Sequence, residues 1–301
     1  MNALEPVGGR NCFAHFNSTA REHDPLNAYL LALASAWIYP FIVADCTGCE
    51  ESDIPALARA RMTHWGFDAS TRLISRSAFG RFDSQALVAT GDEIALVVFR
   101  GSEHPVKVTS RFVNALRDWV ATDADIAMDT VTEFGPEVDV HRGFFRGFMA
   151  VAEQVEDAVR GAVADGRRLW ITGHSMGGAL ATLAAPWLRQ RGLPVSGACT
   201  FGAPMVGGVR LVNLFKRHPI DGFHRYVLKD DAVPRLPPEP LRYQHVVAAE
   251  VIGEDGSVVR RDGDPQGAPS MHKHPPQVYC AALHRGLTGE QRRLVPPPPT
   301  G

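Results

Sequence analysis

The sequence G-H-S-M-G-G at residues 173–178 constrains the fold of this chain more than any other segment. The apolar run 168–172 before it predicts a short strand, and the Ala- and Leu-rich run 176–191 after it predicts a helix. A serine between such a strand and helix lies in a tight, strained turn, where side chains in place of the flanking glycines would crowd the neighbouring backbone. The pattern therefore predicts that the Ser175 hydroxyl projects at a sheet edge as a nucleophile; the alternative is a glycine-rich turn around a passive serine.

Strand and helix patterns alternate through most of the chain. Asp24 followed by Pro25 is typical of a helix start, and Gly91-Asp92 is typical of a hairpin turn. The patterns predict helices over residues 25–39, 54–65, 144–163, 176–191, 209–216 and 276–285. They predict strands over residues 86–90, 94–99, 168–172, a segment ending near Phe201, 224–228, 243–253 and 257–260. Such alternation implies an α/β fold, with a mostly parallel sheet covered by helices on both faces.

Length and composition fit one packed domain. A chain of 301 residues is long enough for one large α/β core, and 45% hydrophobic with 21% charged residues is ordinary globular usage. Since neither an internal repeat nor a convincing linker is present, we expect a single domain over residues 1–301. Within it we expect N-terminal helices at about 24–66, a core at about 86–287 and a frayed, Pro-rich tail at 288–301.

Charge and hydropathy exclude several classes of partner. The formal net charge of -2 gives no strong field to attract nucleic acid or an acidic membrane. The most apolar stretch, 28–44, is interrupted by Ser35 and Pro40 and is shorter than the ~20 residues that span a bilayer, so we expect no transmembrane segment. The first residues carry no visible secretory signal pattern, which favours a cytoplasmic location and leaves secretion by another route open.

The cysteines do not predict a disulfide scaffold or a metal centre. Five cysteines are too few to staple a chain of 301 residues. Cys46 and Cys49 form a C-x-x-C pair, but the second cysteine pair or the histidines of a zinc site are missing from the pattern. We therefore expect no metal and no redox role.

A serine hydroxyl needs a base to remove its proton and a carboxylate to orient that base. In hydrolases whose nucleophile lies in this kind of turn, the acid and then the histidine follow the serine along the chain. Asp230 and Asp231 come directly after the predicted strand 224–228, at the sheet edge where ligand sites collect, and we favour Asp231. For the base, His245 lies inside a predicted strand, and we favour His272 and His274, which follow the last predicted hairpin and precede the last predicted helix.

Four further blocks share their pattern with one protein family. They are V-V-F-R-G-S at 97–102, V-H-R-G-F at 140–144, T-F-G-A-P at 200–204 and D-A-V-P at 231–234. With the serine turn, they make residues 86–287 resemble the class 3 lipases, the fungal-type triacylglycerol lipase family of the α/β-hydrolase fold. The D-x-V-P block favours Asp231 over Asp230. His274, five residues before Tyr279, is similar to an H-x-x-x-x-Y ending in the family, which His272 fits less well.

The resemblance implies a role for each matching residue. Ser175 would be the nucleophile, His274 the general base and then acid, and Asp231 the carboxylate that fixes the imidazole tautomer. Ser102 and Met176 would supply the oxyanion-hole N–H groups; for Met176 the same role follows from its place directly after the serine.

The implied activity is that of a lipase-like serine carboxylic-ester hydrolase. It would cleave acylglycerol or related lipid esters through an acyl-enzyme, without a metal or organic cofactor, and could contact a lipid interface transiently. An esterase, a phospholipase or an acyltransferase would use the same residues, and a non-catalytic binding protein with this fold is a further alternative.

The sequence differs from the fungal members in one respect, and it contains one segment whose role stays open. The disulfides and signal of secreted members are not evident. Residues 103–116 interleave apolar and basic side chains where the family often has a lid, so this segment is either an amphipathic flap or an ordinary surface loop. Trp119 and His141 also match family positions, and we expect both to serve packing.

Overall fold

The computed structural model describes residues 9–39, 54–78, 82–101, 126–238, 241–263, 265 and 267–299. Its helices are α1 (Pro25–Trp37), α2 (Ile54–His64), α3 (Arg142–Ala164), α4 (Met176–Gln190), α5 (Val209–Arg217), α6 (Pro276–Gly286) and α7 (Gly289–Leu294). Its strands are β1 (Arg72–Ala78), β2 (Phe82–Thr90), β3 (Ile94–Phe99), β4 (Met128–Val131), β5 (Val138–His141), β6 (Arg168–His174), β7 (Val195–Phe201), β8 (Gly222–Leu228), β9 (Ala249–Ile252) and β10 (Val258–Arg261).

Several residues singled out in the sequence lie outside the described part of the chain. They are Ser102, the segment 103–116, Trp119, Cys46 and Cys49. The roles suggested for them stay predictions.

One sheet organises the fold. Its strand order is β1-β2-β3-β6-β7-β8-β9-β10, and β4 pairs with β5 in a separate hairpin. Strands β3, β6, β7, β8 and β9 run parallel, whereas β1, β2 and β10 join the two ends in antiparallel pairs. The predicted mostly parallel sheet is therefore confirmed. The carboxyl ends of its parallel strands meet at one edge, where the loops after β6, β7 and β8 lie side by side.

Both faces of the sheet are covered, as the run I-A-L-V-V-F of β3 illustrates. All of β3 is buried. Ala95, Val97 and Phe99 pack in the core beneath α3 and α4, whereas Leu96 and Val98 pack in the core beneath α1 and α2. Successive side chains of a strand point to opposite faces, so a strand buried on both faces needs a continuous apolar run.

The start of α1 was predicted from its cap. The Asp24 carboxylate accepts hydrogen bonds from the N–H groups of Leu26 and Asn27 at 2.9 and 3.0 Å, and Pro25 is the first helical residue. This satisfies N–H groups that would otherwise have no acceptor within the helix. The helix packs on α6 and on β6, which places its carboxyl end beside the serine turn.

The sheet begins earlier than predicted. Strand β1 was not predicted, and β2 starts at Phe82 rather than at residue 86. Strand β1 reads R-L-I-S-R-S-A, pairs with β2 at the edge of the described sheet, and shows a weak apolar pattern. The β4–β5 hairpin was also not predicted. In the last hairpin only Ala249–Ile252 forms the first strand, so residues 243–248 are wrongly predicted as strand.

The tail also differs from its prediction. Helix α7 starts with a capping box in which Thr288 and Gln291 exchange side-chain and backbone hydrogen bonds. Beyond it Val295 is buried, and the Tyr29 hydroxyl donates to the Pro296 carbonyl at 2.6 Å. The described tail up to Pro296 is therefore docked against α1 rather than frayed. Whether the whole chain is one domain stays a prediction.

Candidate active site

Ser175 lies in the turn between β6 and α4, at the carboxyl edge of the sheet. Its backbone has φ 58° and ψ -128°, a strained conformation for a residue with a side chain. Its N–H donates to the Phe201 carbonyl at 2.9 Å, which ties the turn to the end of β7. A Cβ atom at Gly173 would overlap the Gly177 backbone, and one at Gly177 would overlap the Phe99 carbonyl. These overlaps explain why glycines flank the serine.

The end of β8 supplies a buried carboxylate. Asp231 is 1% exposed, and its Oδ1 accepts the Val233 N–H at 3.0 Å. Asp230 is only partly buried, and its backbone carbonyl accepts the Ser270 N–H at 2.6 Å. Of the two aspartates considered in the sequence, the structure places Asp231 against the histidine.

The loop before α6 supplies a buried imidazole. His274 is 1% exposed, and its Nδ1 lies 2.9 Å from Oδ2 and 3.1 Å from Oδ1 of Asp231. A carboxylate only accepts, so Nδ1 carries the proton and Nε2 of the neutral ring is the basic nitrogen. That Nε2 atom is buried and has no hydrogen-bond partner among the described residues. His272 is exposed and makes no such contact within the same part of the chain.

Gly202 lets the acid, the base and the end of β7 approach one another. Its φ of +58° suits glycine. A Cβ atom at this position would lie 2.8 Å from Asp231 Oδ2 and 3.2 Å from His274 Cε1. Since Phe201 also holds the Ser175 N–H, the serine turn, the carboxylate and the imidazole all border the same end of β7.

His174 is a site residue that the sequence analysis missed. Its Nε2 lies 2.7 Å from the His274 carbonyl, which only accepts, so Nε2–H is the donor. Its Nδ1 then accepts from the Tyr39 hydroxyl at 2.9 Å. Burial, followed by unfavourable electrostatic interaction with the neighbouring His274 ring, holds the pKa of His174 well below its usual value. His174 is therefore an uncharged support for the His274 backbone.

The start of α4 provides backbone donors at the serine. Met176 is its first residue, so its N–H lies at the positive end of the helix dipole. Gly101, the last described residue before Ser102, lies against the turn, because a Cβ atom there would come within 2.8 Å of the His174 carbonyl. The backbone leading to Ser102 therefore borders the same turn.

Two other features of the described chain bear on chemistry. No group of His, Cys, Asp and Glu side chains there is arranged to hold a metal ion, and no helix there is long and apolar enough to span a membrane.

His141 is buried, stacks on Phe144 with ring centroids 4.0 Å apart, and accepts the Phe144 N–H at the start of α3. This is the packing role expected for it.

Comparison with protein families gives a match over residues 96–241, to the class 3 lipases. The matched segment includes Ser102, Ser175 and Asp231, whereas His274 lies beyond it.

Curated relatives are lipases. A secreted mono- and diacylglycerol lipase of Fusarium solani is 39% identical over 35% of this chain and 32% of its own length. A lipase of Rhizomucor miehei is 26% identical over 76% of this chain and 58% of its own length. A lipase of Caenorhabditis elegans is 31% identical over 75% of this chain and 59% of its own length. The chain thus spans between about a third and three fifths of the length of these relatives.

Solved structures of lipases share the fold. A mono- and diacylglycerol lipase from Aspergillus oryzae superposes with a TM-score of 0.60 at 20% identity, covering 84% of this chain and 96% of that chain. A triacylglycerol lipase described as having a serine protease triad superposes with a TM-score of 0.57 at 23% identity, covering 85% and 95%. At these identities the likeness shows the fold alone, and the fold is that of the α/β-hydrolases.

The relatives overturn one expectation and confirm another. The Fusarium and Penicillium proteins are secreted lipases, and this contradicts the cytoplasmic location favoured from the sequence. The first residues of the chain were a poor guide to its compartment. The sequence blocks, in contrast, are a sound guide to ancestry: the serine turn and the four blocks around it all fall within the segment matched by the family. Residues 96–241 of the chain match the class 3 lipase family, in agreement with the resemblance found in the sequence.

Proposed function

We propose that this protein is a serine carboxylic-ester hydrolase that cleaves acylglycerols or related lipid esters through an acyl-enzyme. The observation that carries the proposal is the buried Asp231–His274 pair, 2.9 Å apart, at the sheet edge that also holds the strained Ser175 turn. In this assignment Ser175 is the nucleophile, His274 the general base and Asp231 the carboxylate that orients it.

Acylation begins when His274 Nε2 takes the proton of the Ser175 hydroxyl as its oxygen bonds to the ester carbonyl carbon. The carbonyl oxygen becomes an oxyanion, which the N–H groups of Met176 and Ser102 would stabilise. Each such donor contributes about 3–4 kcal/mol to lowering the barrier. The imidazolium then gives its proton to the alcohol oxygen as the ester bond breaks, which leaves an acyl group on Ser175.

Deacylation repeats these steps with water. His274 removes a proton from water as the water oxygen bonds to the acyl carbon, and it returns the proton to the Ser175 oxygen as the acid leaves. Proton transfer by a positioned histidine contributes about 10²–10⁴-fold to the rate. Asp231 accepts the hydrogen bond from His274 Nδ1 throughout and stabilises the imidazolium.

The lipid class of the substrate rests on the relatives. Several are named mono- and diacylglycerol lipases. Such substrates gather at lipid–water interfaces, so transient contact with an interface belongs to the proposal. Initial rates on p-nitrophenyl esters of increasing acyl length and on triglyceride, diglyceride and phospholipid emulsions separate a lipase from an esterase and a phospholipase. Product analysis with an added alcohol separates hydrolysis from acyl transfer.

The nucleophile is tested with a fluorophosphonate probe. The wild type is expected to be labelled and to hydrolyse p-nitrophenyl butyrate, whereas Ser175→Ala is expected to lose both properties and keep its fold. Ser257→Ala is the matched control, because this serine is exposed and its hydroxyl hydrogen-bonds only to the neighbouring Asp255 among described residues. Labelling that persists in Ser175→Ala refutes the nucleophile. A wild type with neither labelling nor turnover favours the non-catalytic binding protein.

A further inference from the structure

Tyr279 makes a buried contact with the proposed acid that the mechanism does not use. It lies on α6, five residues after His274, and is 1% exposed. Its hydroxyl oxygen lies 2.6 Å from Asp231 Oδ2 and 3.2 Å from the Leu228 backbone nitrogen. It therefore bridges the last residue of β8 and the carboxylate that follows this strand.

The direction of the hydrogen bonds at Tyr279 follows from its two partners. The Leu228 N–H can only donate and a carboxylate can only accept, so the single phenol proton points to Asp231 Oδ2. Burial, together with the negative charge of Asp231, raises the pKa of Tyr279 well above its usual value. Tyr279 is therefore a permanent donor to Asp231.

Tyr279 acts on the carboxylate oxygen nearest to the base. Oδ2 lies 2.9 Å from His274 Nδ1, whereas Oδ1 lies 3.1 Å from it and is held by the Val233 N–H. Donors on both oxygens fix the rotation of the carboxylate, and Tyr279 supplies a donor on Oδ2 in addition to His274. We propose that Tyr279 is a positioning residue whose hydroxyl holds Asp231 in the plane that orients His274.

This inference rests on the proposed function for its kinetic test. A carboxylate that turns away loses its hold on the imidazole, so acylation slows while substrate binding is unaffected. Tyr279→Phe removes the hydroxyl and keeps the ring. Because a hydrogen bond to a charged group is worth about tenfold or more in an equilibrium, we expect kcat to fall about tenfold with KM unchanged.

Tyr226→Phe is the matched control. The Tyr226 ring is buried in the same layer and stacks on Phe201 at 5.3 Å, while the Tyr279 ring meets Phe201 edge-on at 6.3 Å. The Tyr226 hydroxyl pairs with His23 Nδ1 at 2.9 Å, away from Asp231. We expect kcat of Tyr226→Phe to stay within about twofold of the wild type. Circular dichroism and thermal unfolding check that both variants fold.

A second readout needs no turnover. The His274 Nδ1 proton, bonded to Asp231, gives a far-downfield proton resonance, which is expected to shift in Tyr279→Phe and to stay in place in Tyr226→Phe. If kcat and this resonance of Tyr279→Phe both match the wild type, Tyr279 only fills space and the inference is wrong. If the wild type neither hydrolyses esters nor reacts with a fluorophosphonate, the proposed function fails, and the resonance still decides the role of Tyr279.

Discussion

Gly202→Ala is the perturbation that most sharply separates backbone strain from damage to the proposed site. Alanine at a φ of +58° costs about 1–2 kcal/mol in folding stability. The new methyl would lie 2.8 Å from Asp231 Oδ2 and 3.0 Å from the Tyr279 hydroxyl. Ordinary contact between such atoms begins near 3.4 Å, so Oδ2 must move by roughly 0.6 Å.

That displacement falls on an atom that two donors already hold. A misplacement of about 1 Å in a catalytic group can cost about 10²-fold in rate, so we expect kcat to fall about 10–100-fold with little change in KM. The assay is p-nitrophenyl butyrate hydrolysis, with urea unfolding of the same preparations.

Gly192→Ala is its matched control. Gly192 has a φ of +77°, and a Cβ atom there meets nothing within 4 Å. Gly192→Ala should therefore lose only the stability that the backbone strain costs and keep its activity, while Gly202→Ala should lose at least as much stability and its activity too. Gly202→Ala with more than about half the wild-type kcat would refute the placement of Asp231 in the reaction.

Two further predictions follow from particular contacts. Asp231→Asn should lower kcat by about 10⁴ as measured by ester hydrolysis, because the amide NH₂ must face either the Val233 N–H or the His274 and Tyr279 donors; unchanged kcat would remove Asp231 from the mechanism. Burial lowers the pKa of His141 from 6.5 to about 4, so the unfolded chain binds the proton more readily and His141 contributes stability that is present above pH 6.5 and lost as pH falls towards 4. This loss amounts to about 3 kcal/mol at most. Urea unfolding at pH 7 and 4.5 should therefore show a smaller acid loss for His141→Asn, which keeps an acceptor for the Phe144 N–H; an equal loss would contradict this.

The parts of the fold that sequence could predict are those whose signal is local. The glycines around Ser175 indicate a turn in which a Cβ atom has no room. The continuous apolar run of β3 indicates a strand that is buried on both faces. The Asp24–Pro25 pair likewise marks the start of α1. The family patterns could favour Asp231 and His274 over their neighbours, but the contact between these two joins residues 43 apart and is visible only in the structure.

The missed features depend on distant partners. His174 and Tyr39 meet across 135 residues, and Tyr29 and Pro296 across 267. No local sequence pattern predicts that either pair is in contact. Strand β1 was missed because its sequence, R-L-I-S-R-S-A, lacks the continuous apolar run that marked β3. The predicted cytoplasmic location was wrong for a different reason, because the compartment of a protein is set by targeting rather than by its packed core.

The central claim is that an ester passes its acyl group to Ser175 before water releases it. Rapid acid quenching during turnover of p-nitrophenyl octanoate, followed by peptide mass spectrometry, tests this directly. The account predicts an octanoyl group on the peptide that carries Ser175, and its absence in Ser175→Ala. Octanoate release by the wild type with no acylated peptide, or with the acyl group on another residue, would contradict it.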